Sequence, residues 1–279
     1  MERVIDGALA EDLSLGDPTT EILIPRTLPG SAALVAKQAG VIAGILVAEA
    51  VFTRVDPDLV MERQVEDGDT VKPGQALGVV EGRMASILTA ERVALNFLQR
   101  MSGTATLTAK FVQAAKAAPN SRATIVDTRK TTPGLRALEK YAVRVGGGRN
   151  HRMALGDGVL IKDNHVDALR MHGMTVREVV EQARREARHT IRIEVEVQTL
   201  EEVRAALEGG ADIILLDNMA PQAMTEAVEE VNGRAVLEAS GQVTLETVAA
   251  VAATGVDLIS VGALTHSAPA LDISLDYRN

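Results

Sequence analysis

From about residue 122 onward the chain alternates between two textures. Runs with little polar interruption ("ATIVDTR", "GVLIKDN", "IRIEVEV", "DIILLDN", "AVLEAS" and "LISVGA") alternate with stretches of helical spacing such as "LEEVRAALEGG" and "LETVAAVAATG". Apolar strands joined by crossover helices are parallel and buried on both faces, which predicts an α/β barrel or an open doubly wound sheet. Six legible strands are fewer than a complete eight-stranded barrel requires, so the pattern predicts an incomplete one. The first hundred residues read differently. "SAALVAKQAGVIAG" predicts a strand and a glycine turn, "ILVAEAVFTRV" a helix, and "VEDGDTVKPGQALGVVEG" short strands between Gly and Pro turns. "LTAERVALNFLQRMSGTATLTAKFVQAAKA" predicts a long helix with Thr89 as N-cap and a break near Gly103. Arg92, Asn96, Gln99 and Gly103 form one polar stripe along it, which by itself reads as a solvated face.

Composition narrows the options. Aromatic residues are 2% of the 279 and Trp is absent, so the core must be built from Ala, Val, Leu, Ile and Met. The absence of Cys excludes disulfides, thiolate metal sites and thiol nucleophiles, and fits a reducing, cytoplasmic compartment. No apolar signal segment follows Met1-Glu2-Arg3, and the longest apolar stretch, "VIAGILVA", is too short to span a bilayer. A net charge of −9 argues against nucleic-acid binding. No GxGxxG or P-loop follows any strand. "DGDTVKPGQAL" resembles half of a biotinyl/lipoyl carrier domain, but no second half follows and a tight-turn scaffold is the better reading.

Charge is distributed unevenly. Between Asp127 and His165 eight Lys or Arg face four acids, a net +4 inside an acidic chain. In parallel α/β folds, ligands bind beyond the carboxyl ends of the strands. Read in order, those ends carry Arg129-Lys130; Lys162 with Asp163-Asn164-His165; Glu194 and Glu196; Asp217-Asn218; Glu238 with Ser240-Gly241; and Gly262-Ala263. Adjacent cations, with His151-Arg152, suit a small polyanion. Glu196 and Asp217 can hold Mg²⁺ or accept hydrogen bonds from sugar hydroxyls, while Glu194 reads as a buried, satisfied group. The glycine-bearing late loops offer backbone N–H groups to a terminal phosphate. Lys162 or Lys130 could instead serve a class I aldolase as a Schiff-base nucleophile, although that chemistry does not call for so many cations.

"DTRKTTPGLRALEKYAVRVGGGRNHRMALGDGVLIKDNH" carries a resemblance, together with "TAER" before it and "EVEV", "LLDN", "EASG" and "SVGALTHS" after it. These segments resemble the quinolinate phosphoribosyltransferases, also called nicotinate-nucleotide pyrophosphorylases (carboxylating), over essentially the whole chain. The resemblance implies an N-terminal α/β sandwich domain over residues 1–104, with the tail 265–279 returning to it. It also implies an open, seven-stranded α/β barrel over 105–264, with a missed irregular strand near "YAVRVGG". The implied reaction joins quinolinate to phosphoribosyl pyrophosphate, with Mg²⁺ and no organic cofactor, and releases pyrophosphate and CO₂. Arg129, His151, Arg152 and Lys162 are the implied carboxylate pocket. The resemblance further implies that Arg92 reaches in from the neighbouring subunit of a homodimer, which revises the bland reading of its stripe. Lys130 lies by the pyrophosphate and ribose, and Glu196 and Asp217 by the ribose hydroxyls and Mg²⁺; these three are the implied catalytic residues. Ser240, Gly241, Gly262, Ala263 and His266 fit the 5′-phosphate end. "SGQ", where many relatives carry a second glycine, leaves the phosphate contacts open. A same-fold paralogue with another anionic substrate is the nearest alternative.

Overall fold

The computed structural model describes residues 1–278, and its contacts divide the chain into two compact units. The first comprises residues 1–109, 131–147 and the C-terminal segment from Leu264. Its strands are β1 (Pro29–Ala36), β2 (Gly40–Val41), β3 (Val60–Arg63), β4 (Thr70–Val71) and β5 (Ala76–Arg83). The last strand of the chain, Ile273–Arg278, pairs antiparallel with β1, giving a four-stranded sheet in the order Ile273–Arg278, β1, β5, β3. The expected return of the tail is therefore a strand pairing. The core contains Leu34, Ile42, Ile45, Phe52, Leu77, Ile87, Phe97, Leu98 and Met101, with few rings, as the composition requires.

The predicted helix "ILVAEAVFTRV" spans Ile45–Val55 as read. The long helix runs Met84–Lys116 without a break. Thr89 is not its N-cap; it lies one turn inside and its hydroxyl donates to Asp17 at 3.1 Å. Gly103 does not interrupt the helix. A Cβ there would collide with the carbonyl oxygen of Pro269, so the glycine permits close packing within this unit. Gln99 donates to the carbonyl of Ile273 at 2.6 Å, so half of the polar stripe is engaged while Arg92 and Asn96 are exposed.

The second unit, residues 110–130 and 148–263, holds all six predicted strands. They are β6 (Thr124–Val126), β7 (Val159–Ile161), β8 (Ile193–Val197), β9 (Ile213–Asp217), β10 (Val236–Ser240) and β11 (Leu258–Ser260). They form one parallel sheet in the order β6-β11-β10-β9-β8-β7. Two crossover helices begin where a side chain satisfies an orphan N–H, Thr175 capping Val176–Glu186 and Thr199 capping Leu200–Glu208, while Pro221, which has no N–H to satisfy, opens Pro221–Val231.

The expected seventh strand is not at "YAVRVGG", where helix Arg136–Val145 ends. In its place, among the described residues, a single parallel bridge joins Arg149 to Val126. The N–H of Arg149 donates to the Ile125 carbonyl at 2.9 Å, and its carbonyl accepts from Asp127 at 3.1 Å. This bridge extends the sheet by one position beyond β6. No helix among the described residues is long and apolar enough to cross a membrane.

Candidate active site

Side chains alternate across a strand, so in-register neighbours share a face. The pairings Leu160↔Glu194, Glu196↔Leu215, Leu215↔Glu238 and Asp217↔Ser240 place these residues on one face of the second unit's sheet. Lys162, two residues beyond Leu160, continues that face. A cavity of about 430 Å³ opens there, lined by Arg129, Lys130, His151, Arg152, Lys162, Glu196, Asp217, Ser240 and Glu238, among others. Eight sequence-predicted site residues thus meet at the carboxyl ends of the strands. Its volume suits a small ligand.

Asp127 organises the cationic wall. It is fully buried and accepts from Asn150 Nδ2 at 2.6 Å and from the His151 N–H at 2.9 Å. These bonds tie the residues after the Arg149 bridge to the end of β6. The Arg152 guanidinium donates to the Gly158 carbonyl, just before β7, at 3.1 Å. Arg129 and Arg152 each bury an Nε with no hydrogen-bond partner among the described residues. An unpaired buried donor is costly, and a bound anion would satisfy both. Burial pulls the Arg152 pKa down, and the nearby Arg129 charge acts in the same direction.

Lys162 is exposed and lies 3.5 Å from Glu196 Oε2. A Schiff-base lysine is activated by desolvation or by a neighbouring cation, and Lys162 has neither the burial nor an adjacent positive partner in that pair, which disfavours the aldolase reading. Burial raises the Glu196 pKa; Lys162 opposes the rise and the charges of Asp217 and Asp163 add to it.

Sequence reading missed the importance of a cluster beneath this wall. His151 Nδ1 accepts the Arg152 N–H at 2.6 Å, while Nε2 lies 3.2 Å from Glu194 and 3.7 Å from Glu238. Glu194, expected to be buried and satisfied, is 3% exposed with His151 as its partner. Burial lowers the proton affinity of His151, but the Glu194 hydrogen bond and the charges of Glu238 and Glu194 outweigh it, so its pKa stands above the usual value. Glu238 is 1% exposed, and neither carboxyl oxygen has a hydrogen-bond partner among the described residues. Burial, then the neighbouring Glu194 charge, push its pKa up to about 7. Its strand-end position was legible, but the missing donors were not.

The remaining predicted residues fall into two groups. Gly241 has φ +124, and a Cβ there would collide with Asn218 Oδ1, so this turn requires glycine. Gly262 and Ala263 follow β11, Ala263 opening the short helix Ala263–His266. Arg92 and His266 belong to the first unit; both are exposed, and His266 Nδ1 lies 2.6 Å from Ser267 Oγ.

Comparison with known proteins gives this constellation a family. Residues 17–102 match the quinolinate phosphoribosyl transferase N-terminal domain, and residues 104–276 match its C-terminal domain. A Nicotiana glauca protein named quinolinate phosphoribosyltransferase [decarboxylating] 2, mitochondrial, is 47% identical over 99% of this chain and 81% of its own length. A Bacillus subtilis protein named probable nicotinate-nucleotide pyrophosphorylase [carboxylating] is 40% identical over 99% of this chain and 93% of its own. The crystal structure of NadC from Streptococcus pyogenes superposes with a TM-score of 0.93 at 40% identity, covering 100% of this chain and 97% of that one. Both halves of the chain match, and relatives of this identity align along nearly all of it, so the chain belongs to the quinolinate phosphoribosyltransferase family.

Proposed function

We propose that this chain transfers the phosphoribosyl group of phosphoribosyl pyrophosphate to quinolinate with loss of CO₂. The products are nicotinate mononucleotide, pyrophosphate and CO₂, a step of NAD biosynthesis. One observation carries the reading: Arg129 and Arg152, each with an unpaired buried Nε, join Lys162 around a single cavity. Such a wall matches two adjacent carboxylates better than one.

In this reading Arg129, His151, Arg152 and Lys162 bind the dicarboxylate and aim its ring nitrogen at the anomeric carbon, a positioning task. Lys130, exposed at the rim, faces the departing pyrophosphate and offsets its developing charge. Ser240, Gly241, Gly262 and Ala263 offer backbone N–H groups to the 5′-phosphate, with His266 in support. Arg92 of a neighbouring subunit completes the carboxylate pocket in a homodimer. Glu196 and Asp217 end adjacent strands, and the charge of Asp217 raises the Glu196 pKa, so a divalent ion placed by them would relieve their repulsion. Mg²⁺ arriving with phosphoribosyl pyrophosphate fits these two carboxylates, and it would supply charge neutralisation for the leaving pyrophosphate. We place the enzyme in the cytoplasm.

The test is to mix purified protein with quinolinate, phosphoribosyl pyrophosphate and Mg²⁺ and follow products by mass spectrometry, with nicotinate in parallel. Nicotinate mononucleotide from quinolinate alone, with stoichiometric CO₂, is expected. Turnover of nicotinate but not quinolinate would overturn the dicarboxylate assignment, and silence with both would favour another anionic substrate. Arg129→Ala should lower kcat/KM for quinolinate by about 10²-fold or more, as loss of one desolvated charge-assisted contact implies.

A further inference from the structure

The cluster beneath the cavity contains a group for which binding and phosphoribosyl transfer have no use. Glu238 lines the cavity holding Arg129 and Lys162, and it also lines a second cavity of about 390 Å³ at the amino ends of the same strands. His151 and Arg152 are the other residues common to both. Glu238 therefore stands in the partition between an anion-binding front chamber and a rear one.

The groups facing it are few. His151 Nε2 is 3.7 Å away, Arg152 follows His151, and Glu194 shares His151 from β8. Leu215 and Leu258 are its in-register neighbours on β9 and β11. Ser260 lies two residues farther along β11, its hydroxyl directed to the Ala239 carbonyl at 3.4 Å. No group among the described residues meets full hydrogen-bond geometry to its carboxyl oxygens; the Ser260 hydroxyl is near enough to favour the ionised form, but burial and the Glu194 charge outweigh it. A carboxylate so placed is unfavourable, whereas a neutral carboxylic acid is tolerable and has a proton to give. His151 is committed elsewhere: its Nδ1 accepts the Arg152 N–H and its Nε2 faces Glu194 at 3.2 Å.

We propose that Glu238 is the acid that protonates the ring carbon vacated by CO₂, an inference that rests on the function proposed above. After ribosylation the C–C bond to the departing carboxylate breaks and its electron pair stays on the ring carbon. The Glu238 O–H bond then breaks, its proton forms the new C–H bond, and CO₂ leaves with no change of oxidation state at the protein. The resulting carboxylate recovers its proton from solvent in the rear chamber.

The experiment compares wild type with Glu238→Gln and Glu238→Asp, using quinolinate, phosphoribosyl pyrophosphate and Mg²⁺. Glu238→Gln should lower kcat by about 10²-fold or more with KM for quinolinate within about threefold, the scale of a lost general acid. Glu238→Asp, which keeps the acid, should recover part of kcat. The wild-type kcat should fall on the alkaline side as Glu238 ionises, and the Gln variant should lack that limb. Unchanged kcat in Glu238→Gln overturns the inference. So does a wild-type kcat that stays flat to pH 10, whether or not the variants fold. A wild type that makes no nicotinate mononucleotide from quinolinate fails on the reaction itself, separately from the identity of the acid.

Discussion

Glu238 also carries a thermodynamic signature independent of turnover. Its folded-state pKa, about 7, lies above the ordinary carboxyl value of 4.5. The folded chain therefore binds this proton more tightly than the unfolded chain. The associated stability is fully present below pH 4.5 and is lost as pH rises through about 7. His151, with its raised pKa, acts in the same direction over a higher range. Glu238→Gln removes the carboxyl contribution, so urea unfolding at pH 5 and pH 8 should show wild type losing up to about 3 kcal/mol relative to the variant. Equal pH dependence in the two proteins would contradict the burial assigned here. The letters at this scale disclosed charge but not solvation. Arg129, Lys162, Glu196 and Asp217 were legible because strand-end charges are informative in a parallel fold. The lack of donors around Glu238 depends on what Leu215, Leu258 and His151 leave around it, which no local pattern records.

Elements were legible in proportion to their regularity. All six sheet strands of the second unit were readable because strands buried on both faces are rich in Val, Ile and Leu, with polar residues confined to a few positions of one face. The Arg149 bridge escaped because one paired residue has no period, and the helix Arg136–Val145 had occupied the expected place. The long helix misled in another way. A glycine in a helical pattern usually signals weakness, yet Gly103 is where the Pro269 backbone packs closely. Gly103→Ala should therefore destabilise the chain by about 2–3 kcal/mol through overpacking, although alanine is the better helix former. A rise in urea midpoint would show that the Pro269 segment yields instead.

At the scale of the whole molecule, the proposed homodimer makes each active site a product of two chains. Arg92→Ala and Lys130→Ala homodimers should each be nearly inactive. Mixed after reversible dissociation, half of the random pairs are heterodimers with one intact site each, so activity should return to about a quarter of wild type. No recovery, with subunit exchange verified by mass, would place Arg92 and Lys130 in sites of one chain. The C-terminal strand adds an order in time. One edge of β1 is completed only by Ile273–Arg278, so a growing chain exposes that edge until those residues are made. The second unit's residues are all synthesised before then. The first unit thus closes only after the second unit's residues have been made, and a chain truncated before Ile273 would carry an open strand edge suited to aggregation.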